Sequence, residues 1–458
     1  MGLSVVSESS VQIRPAKRRA PGPRGQFLLG SLPEFRRDMI GLLEESVRQH
    51  GDVVRFRFGP VTAHLVNHPD HVEHVLLERS DNYDKRTRSV AKIRTTCGNS
   101  LLASDGEPWR RHRRLIQPAF RQEYLQRFLP VIAEITSRTL QRWQDFATAG
   151  EAIDVVSEMM QLTLKIAARI FFGTDVKDDA AVIEHSLAVI LRDTWRRLET
   201  PFDLAAISPA FRRPAFRRAL REIDGVVYRI IEDRRRDESA SDDLLSMLLE
   251  AHEGAGEKGL DDRELRDAVI TLLLAGHETT ANALAWTFYL VSQSRDVEER
   301  LLGEAAAESG ESAGNRSYVS MVFAETIRFY PSIWIMERHV RSHDEIGGYH
   351  IPAGSTVMIS PYLLHRHPEF WDEPEVFDPD RFADEPDTFR SRCSYVPFGI
   401  GPHQCIGQQM ALLVARHVLR AIYQRFHLQL VPGQTIGMEP GITLRHGGRV
   451  LMTLERHS

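Results

Sequence analysis

Apolar residues recur with the spacing of amphipathic helices through most of this chain, and with the alternation of strands in a few short runs. Helical spacing, in which apolar residues lie three and four positions apart, dominates the middle of the chain and returns near its C-terminal end. The longer helices predicted in this way are Glu34–His50, Arg121–Ala147, Val155–Phe172, Ala180–Glu199, Arg213–Arg236, Asp261–Ser294, Tyr318–Tyr330 and Gln408–Phe426.

Alternation of apolar and polar residues predicts a hairpin formed by Val53–Phe58 and Val61–Val66 around Gly59 and Pro60. Further short strands are predicted at Glu337–Val340, Thr356–Ser360, Leu428–Val431 and Val450–Leu454. Arg86–Ser104 and the proline-rich stretch Pro361–Pro397 have no regular period, so both are predicted to be loops. The pattern predicts a mainly α protein with a small β-rich lobe.

The chain has 458 residues and contains no internal linker of low complexity and no fixed-period repeat. Residues 26–458 are therefore predicted to form a single large domain. Residues 1–25 are polar and basic, and Pro21, Gly22 and Pro23 interrupt them, so we expect a flexible N-terminal tail.

The net charge is −5, which argues against nucleic acid as a general partner. The three cysteines are too few and too scattered for a disulfide framework, which indicates a reducing compartment. There is no apolar signal segment, and the most apolar run, Ala268–Gly276, is too short to span a bilayer. These features predict a soluble, cytoplasmic protein without a membrane anchor.

One cysteine is presented in an unusual way. Cys405 follows a turn-rich loop that contains Gly399 and Gly401, and it precedes an apolar helix. The free N–H groups and the positive dipole at a helix N-terminus favour a thiolate, which is either a nucleophile or a metal ligand. A flat, crowded ledge next to Phe398 suits a thiolate that binds haem iron axially. A buried structural cysteine is the plainer alternative, and a zinc site with Cys393 lacks the ligand count and spacing that zinc requires.

Phe398, Gly401, His403, Cys405 and Gly407 match the pattern FxxGx[RH]xCxG. On these residues the chain resembles the cytochrome P-450 family of haem-thiolate monooxygenases, and the order of its predicted elements is similar from about residue 20 to residue 458. The resemblance implies haem b as cofactor, with Cys405 as the metal ligand and Phe398 and Gly407 beside the ring. It also implies a reaction in which O2 and two electrons, ultimately from NAD(P)H, insert one oxygen atom into an apolar C–H or C=C bond.

Trp109 and Arg113 are four residues apart on a predicted helix, so they share one face. An indole N–H and a guanidinium on one face can bind carboxylates, and the pair matches the family's WxxxR, which contacts the haem propionates. The resemblance adds Arg338 and His403 as further propionate ligands. The plainer alternative for these residues is a solvated basic surface.

The segment Ala275–Thr280 interrupts an otherwise apolar helix. Gly276 costs about 1 kcal/mol relative to alanine in a helix interior, so we expect a functional reason for it. Small residues such as Ala275 would let a flat cofactor lie against the helix, while Glu278 and Thr279 would organise water for proton delivery. The run matches the family's [AG]Gx[DE]T. Close helix packing with an exposed glutamate is the alternative.

Glu325 and Arg328 are three residues apart and match the family's ExxR. By itself the pair is a weak signal, because exposed ion pairs with this spacing are common. The resemblance adds Arg381 to form a cluster that supports the haem-binding loop, which is a structural role and not a catalytic one.

Apolar residues predicted to contact a hydrophobic substrate are Leu272, Ile333, Trp334 and Ile442. The sequence contains no fused electron-transfer module, so we expect electrons from a separate ferredoxin or flavodoxin with its reductase. Arg110, Arg111 and Arg114 are predicted to form its docking patch. Two alternatives stay open here: a peroxide-driven or isomerase-type haem-thiolate enzyme, and a hydrolase that uses Cys405 as its nucleophile.

Overall fold

The protein is described by a computed structural model. It describes residues 18–173, 179–198, 213–237, 243–254, 260–306, 317–383, 391 and 393–457. Residues 1–17 of the predicted tail, and the predicted helix end at Glu199, lie outside the described residues.

Sixteen α-helices are present in the described part of the chain, and they make up most of it. They are α1 Leu32–Arg37, α2 Met39–His50, α3 Pro69–Glu73, α4 Arg88–Cys97, α5 Gly106–Ile116, α6 Gln122–Leu125, α7 Leu129–Ala149, α8 Val155–Phe172, α9 Ala180–Leu198, α10 Pro214–Arg236, α11 Leu244–Gly254, α12 Asp262–Val291, α13 Arg295–Ala306, α14 Tyr318–Phe329, α15 Pro361–Leu364 and α16 Gln408–Tyr423.

Short strands form the remaining regular structure. They are β1 Val53–Phe58, β2 Val61–Val66, β3 Tyr83–Asp84, β4 Ile153–Asp154, β5 Met336–Val340, β6 Asp344–Ile346, β7 Tyr349–Ile351, β8 Thr356–Ile359, β9 Phe426–Leu430, β10 Met438–Pro440, β11 Leu444–His446 and β12 Leu451–Arg456. The largest sheet has the order β1-β2-β8-β5-β3, with β2 and β8 parallel. A three-stranded sheet has the order β4-β12-β9, and β10 pairs with β11 in a separate hairpin. The predicted fold class, mainly α with a small β-rich lobe, is confirmed.

The long helix α12 is the central element. It begins at a capping box, in which the Asp261 side chain accepts from the Glu264 N–H and the Glu264 side chain accepts from the Asp261 N–H. Most of its residues are buried, because α8, α10, α14 and α16 all pack against it. None of the helices in the described ranges has both the length and the apolar character that crossing a bilayer requires.

Several sequence predictions about local structure were wrong. The predicted helix Arg121–Ala147 is divided into α6 and α7, and the predicted loop Pro361–Pro397 contains α15. The stretch Arg86–Ser104 contains α4, which Thr87 caps by accepting from the Val90 N–H at 3.3 Å. This helix has little apolar periodicity, and packing against α9 and α12 stabilises it instead. The predicted first helix is divided at Asp38, which adopts an extended conformation and caps α2 through the Gly41 N–H at 2.9 Å.

Candidate active site

A cavity of about 590 Å³ lies between α12 and the loop that carries Cys405. Its walls are mainly apolar, and its volume is in the range of sites that bind small organic molecules. Of the predicted substrate contacts, Leu272, Ile333 and Ile442 line this cavity. Cys405 lies in the opposite wall.

Trp334 does not line the cavity, so the structure does not support its predicted substrate contact. Its side chain is fully buried, and its Nε1 donates to the carbonyl of Gly441 at 2.9 Å. The indole therefore supports the turn that presents Ile442 and does not itself reach the cavity. Ile333 and Trp334 are neighbours in the chain, but only Ile333 lines the cavity.

Backbone hydrogen bonds fix the conformation of the Cys405 loop. The Cys405 N–H donates to the Phe398 carbonyl at 2.9 Å, and the Gln404 N–H donates to the Gly401 carbonyl at 3.0 Å. Gly401 has a φ of +74°, and a Cβ there would lie 2.1 Å from the Leu76 carbonyl oxygen. A glycine is required at 401 because the loop packs directly against the Leu76 backbone.

Cys405 is exposed to the cavity, while the rest of its surroundings are protein. Burial raises the pKa of the Cys405 thiol, although the N–H groups of Gly407 and Gln408 and the charge of Arg113 act in the opposite direction. The protein by itself therefore does not give Cys405 the predicted preference for the thiolate form. A bound metal ion would supply the missing stabilisation, because metal binding removes the thiol proton.

Glu325 and Arg328 form a fully buried ion pair on α14. The Arg328 Nε and Nη2 atoms donate to the two carboxylate oxygens at 2.7 Å each. Arg328 also donates to the carbonyls of His365 and Pro374, at 2.9 Å each. The Arg381 Nε lies 3.5 Å from Glu325 Oε1. The three residues of the predicted structural cluster are therefore adjacent.

His365 connects this cluster to the cysteine loop. Its Nε2 accepts from the Val396 N–H at 2.9 Å, one residue before the loop begins at Pro397. Burial lowers the pKa of His365 to about 3, with the charge of Arg328 contributing, so the ring is neutral at pH 7. A neutral imidazole ring can accept this bond. His365 therefore links the buried ion pair to the start of the cysteine loop.

Cationic side chains gather on one side of the cavity. Arg113 and Arg338 line it, and Arg113 Nη1 donates to the Gln404 carbonyl at 2.7 Å. The His403 ring lies 4.2 Å from the Trp109 ring, centroid to centroid, and His403 Nε2 is 3.2 Å from Asp105 Oδ1. The four predicted propionate ligands are thus brought together from α5, β5 and the cysteine loop.

Lys85 belongs to the same cluster, and the sequence analysis missed it. Its Nζ donates to the Leu101 carbonyl at 3.1 Å. Burial lowers the pKa of Lys85 to about 7, and the nearby charges of Arg338 and Arg113 add to this effect. Such crowding of like charges is unfavourable unless an anion is bound among them. No motif marks Lys85, which follows the short strand β3.

These residues fit a flat cofactor with two carboxylates. The cationic groups outnumber the acids near them, of which Asp105 is already engaged by His403. His403 Nδ1 is buried and has no hydrogen-bond partner in the described structure. On the facing side Ala275 is exposed to the cavity, which leaves room against α12. Haem b, with its two propionates and an iron that a thiolate can bind, matches this set of donors.

Thr279 and Glu278 both line the cavity but have different partners. Thr279 Oγ1 donates to the Ala275 carbonyl at 2.6 Å, a bond that a threonine within a helix can form with the carbonyl four residues earlier. The carboxylate of Glu278 is buried, and its Oε1 accepts from Arg445 Nε at 2.6 Å and from Thr443 Oγ1 at 2.9 Å. Glu278 is therefore attached to the β10–β11 hairpin. No sequence signal pointed to Arg445, which is distant in the chain.

Gly276 is required mainly by helix packing. A Cβ at this position would lie 2.9 Å from Cε2 of Phe171 on α8. The alternative of close helix packing therefore accounts for the glycine, while Ala275 is the small residue that faces the cavity.

Arg111 differs from the other members of the predicted docking patch. It forms an ion pair with Glu264 of α12, and His112 Nε2 lies 3.3 Å from the same carboxylate. Arg110 and Arg114 are exposed on α5, and the ion pair of Arg110 with Glu107 lies on the exposed surface of the same helix. Arg111 therefore stabilises the α5–α12 contact, and the structure does not support its assignment to a free basic patch.

The fold and the cavity define a class of protein: a mainly helical protein with a cavity, between a long helix and a cysteine loop, whose polar groups fit a cofactor with two carboxylates. Comparison with known proteins agrees with this. A family model described as cytochrome P450 matches residues 20–448. Cyclooctatin synthase of Streptomyces melanosporofaciens is 34% identical over 438 residues, which cover 94% of each chain.

Two further relatives carry names of oxygen-inserting enzymes. Cyclooctat-9-en-7-ol 5-monooxygenase of the same organism is 34% identical over 441 residues, or 93% of this chain and 94% of the relative. Pentalenene oxygenase of Streptomyces avermitilis is 30% identical over 417 residues, or 89% and 91%. The chain belongs to the cytochrome P450 family. It is a haem-thiolate monooxygenase, an oxidoreductase that uses haem iron and O2, and the hydrolase alternative is not supported.

Proposed function

We propose that the protein hydroxylates or epoxidises an apolar cyclic hydrocarbon of the terpene type, with electrons from a separate redox protein. The observation that carries the proposal is the cavity itself. Apolar residues from α12, the Ile333 segment and the Ile442 turn face Cys405 across a space of about 590 Å³. A largely apolar wall selects substrates by shape and by hydrophobic burial.

Cys405 would bind the iron, and Trp109, Arg113, Lys85, Arg338 and His403 would hold the propionates. The haem, once bound, supplies the activation of O2, and the protein supplies ligation, orientation and control of water. The N–H groups of Gly407 and Gln408 support this assignment, since both donate towards the Cys405 sulfur. Such bonds moderate the negative charge on an axial thiolate.

Thr279 would hold a proton-bearing water next to the cofactor. Its hydroxyl lies on the cavity side of α12, and the bond to the Ala275 carbonyl sets its orientation. Glu278 would act less directly, because Arg445 and Thr443 hold its carboxylate. Proton transfer through Glu278 would require its carboxylate to break its bonds to the hairpin. We therefore assign the contact with the proton-bearing water to Thr279.

The relatives favour a terpene-like substrate over a fatty acid. Their names refer to cyclooctatin, cyclooctat-9-en-7-ol and pentalenene. The cationic groups that line this cavity belong mainly to the cluster assigned to the propionates. A free carboxylate at the substrate end would therefore meet an apolar wall, which is unfavourable.

Electrons would come from an acidic ferredoxin or flavodoxin with its NAD(P)H-dependent reductase. Arg113 contacts the carbonyl of Gln404, next to Cys405, so α5 lies beside the cysteine loop. Arg110 and Arg114 on the same helix are exposed and would steer the acidic partner to this side of the haem.

The test uses the purified, haem-loaded protein. A red-shifted Soret band in the ferrous–CO complex would support cysteine ligation, and its absence would contradict it. Cyclic sesquiterpenes, cyclic diterpenes, fatty acids and steroids are then titrated into the ferric protein, and the spin-state change is recorded. We expect cyclic terpenes to give the tightest response. Equal turnover with hydrogen peroxide in place of the electron donors would favour the peroxide-driven alternative.

A further inference from the structure

Two threonine hydroxyls lie in the cavity wall without a hydrogen-bond partner. Thr96 of α4 and Thr194 of α9 are each 2% exposed, and both line the cavity. Neither Oγ1 atom has a hydrogen-bond partner among the described residues. A buried hydroxyl that stays unpaired is unfavourable, so native proteins rarely retain one without a reason. We call the hydroxyls of Thr96 and Thr194 the open hydroxyls.

Other threonines in the same wall pair their hydroxyls within the protein. Thr163 of α8 is also 2% exposed and lines the cavity, and its Oγ1 lies 2.8 Å from the Met159 carbonyl oxygen. Thr279 donates to the Ala275 carbonyl in the same way. A threonine within a helix can always reach the carbonyl one turn earlier, but the open hydroxyls do not do so. They are therefore available to a molecule in the cavity.

The backbones that carry the open hydroxyls are held in place. Arg266 Nη1 of α12 donates to the Thr96 carbonyl at 2.8 Å. Arg197, which is one turn after Thr194 on α9, donates from Nη1 to the hydroxyl of Thr95 on α4 at 2.9 Å. Because α4, α9 and α12 meet through these bonds, the two open hydroxyls belong to the same end of the cavity.

A third threonine and several aliphatic residues complete this end of the cavity. Thr271 of α12 is 6% exposed and lines the cavity, and the Cys97 thiol, a weak hydrogen-bonding group, lies beside it. Ile93, Ile190 and Leu272 lie within one turn of these threonines and also line the cavity. Neutral hydroxyls in an aliphatic lining fit a neutral oxygen on an apolar molecule, and a carboxylate would be unfavourable there.

We propose that the substrate is a cyclic terpene that already carries a hydroxyl group, which the open hydroxyls bind. This inference rests on the proposed function and narrows its substrate class. A threonine hydroxyl both donates and accepts, and a substrate hydroxyl can use both capacities, whereas a carbonyl only accepts. Water can fill this place in the free protein, but a hydrocarbon that displaced the water would leave the threonines unpaired.

This substrate class places the reaction after another step that introduces oxygen. One such step is a cyclisation in which water adds to the final carbocation and a proton is lost. The other is an earlier hydroxylation of the hydrocarbon. The protein described here would then insert a second oxygen atom at a different carbon, with the first oxygen atom fixing the orientation of the molecule in the cavity.

The test compares alcohols with their parent hydrocarbons in the ferric, haem-loaded full chain. Adamantane with adamantanol, and cedrane with cedrol, are titrated, and each dissociation constant is obtained from the spin-state change. Adamantanol is included because its nearly spherical cage can turn its hydroxyl towards any part of the wall. We expect each alcohol to bind on the order of tenfold more tightly than its hydrocarbon, because the hydrocarbon leaves buried hydroxyls unpaired.

Thr96→Val and Thr194→Val remove the open hydroxyls with little change in side-chain shape. Each should weaken alcohol binding about three- to tenfold, while hydrocarbon binding stays unchanged or becomes tighter. Thr96→Ser and Thr194→Ser keep the hydroxyl and should keep the preference for the alcohol. Thr163→Val is the matched control, because the protein backbone already pairs that hydroxyl, and it should leave the ratio of the two affinities unchanged.

The possible outcomes separate this inference from the proposed function. Hydrocarbons that bind as tightly as their alcohols, or valine variants that weaken both ligands equally, would overturn the inference and leave the proposed function intact. If no terpene changed the spin state while fatty acids or steroids did, the proposed function would be wrong and the inference would fall with it.

Discussion

The two walls of the cavity are held in different ways. Around Cys405 the loop is fixed by its own backbone hydrogen bonds and, through His365, by the fully buried pair of Glu325 and Arg328. Across the cavity, α12 obtains its shape from Gly276 packed on α8 and from side-chain contacts to a hairpin. The conformation of the cysteine wall is fixed by directional interactions, because buried charges and buried backbone donors must each be paired with a partner.

The α12 wall has more freedom. Most of its cavity-facing residues are apolar, and apolar contacts have no direction. Of its polar residues, Thr279 donates to the Ala275 carbonyl on the same helix, while Glu278 depends on Arg445, which a distant part of the chain supplies. This difference indicates that the cysteine wall preserves the cofactor site, while the helix wall can adapt to different substrates. The following predictions test that contrast.

The largest expected effect concerns Cys405 itself. Cys405→His should abolish the red-shifted Soret band of the ferrous–CO complex, because that band requires an axial thiolate. Cys393→Ser and Cys97→Ser are matched controls and should keep the band, although Cys97 is buried at the edge of the cavity. If Cys405→His kept the band, Cys405 would not be the iron ligand.

The second prediction concerns the support of the cysteine wall. Arg328→Leu should lower the free energy of unfolding by about 3–5 kcal/mol, because it leaves the buried carboxylate of Glu325 without its main partner. Arg300→Leu is the control, since it breaks an ion pair with Asp380 that is half exposed, and it should cost at most about 1 kcal/mol. Denaturant titration of the haem-loaded proteins gives both values. Equal costs for the two variants would contradict the structural role of the buried pair.

The third prediction concerns the helix wall. Thr279→Ala should keep haem and substrate binding but lower product per NAD(P)H on the order of tenfold, because it removes a hydroxyl that positions a proton donor. Thr287→Ala is a close control: its hydroxyl donates to the Ala283 carbonyl at 2.9 Å on the same helix, and it does not line the cavity. Coupling that falls equally in both variants would mean that helix geometry is responsible.

The fourth prediction tests the cationic cluster through pH. Without haem, Lys85 loses its proton as pH rises above about 7, because its pKa is lowered from 10.5. Propionates bound to the ammonium would raise that pKa, so haem binding would take up a proton above pH 7 and weaken as pH rises. The ratio of the wild-type haem affinity to the haem affinity of Lys85→Met should fall by up to about tenfold for each pH unit above about 7.

Transfer of haem to apomyoglobin across a pH series measures this ratio. Lys85→Arg provides the control, because a guanidinium keeps its charge through the same range and should show no such fall. A wild-type ratio to Lys85→Met that does not change with pH would remove Lys85 from the propionate site.

The smallest expected effect concerns electron delivery to the cysteine wall. Arg110→Glu with Arg114→Glu should slow first-electron transfer about three- to tenfold and flatten its salt dependence, since charge steering acts over about 8 Å at physiological salt. Arg111 is left unchanged because it pairs with Glu264. Arg295→Glu, on an exposed part of α13, is the control. Stopped-flow reduction at several salt concentrations decides, and an unchanged rate would place the docking site elsewhere.

The sequence was most informative where a short stretch of chain carries its own geometry. The Cys405 loop, the Glu325–Arg328 pair and the capped start of α12 all depend on residues within a few positions of each other, and the structure has these elements where they were predicted. The shared helix face of Trp109 and Arg113 also follows from spacing, whereas the resemblance implied their role as propionate ligands. Such features are local, so periodicity and turn chemistry indicate where they lie, although the role of the Glu325–Arg328 pair came from the resemblance.

The missed features depend on residues that are far apart in the chain. Trp334 was expected in the cavity, yet whether it or Ile333 lines the cavity depends on how this segment packs on the Gly441 turn. Lys85 and Arg445 have no motif, and only folding brings them to the cluster and to Glu278. Arg111 was assigned to a free patch because its partner lies 153 residues away.

By itself the sequence determined the helical class and the cysteine loop, because both rest on local spacing and backbone conformation, and its resemblance to a known family implied the iron ligand that we propose. Only the tertiary structure decided which side chains line the cavity, which arginines are free and how Glu278 is held. Burial and long-range pairing assign those properties, and both arise when distant segments meet and must satisfy each other's charges and hydrogen bonds.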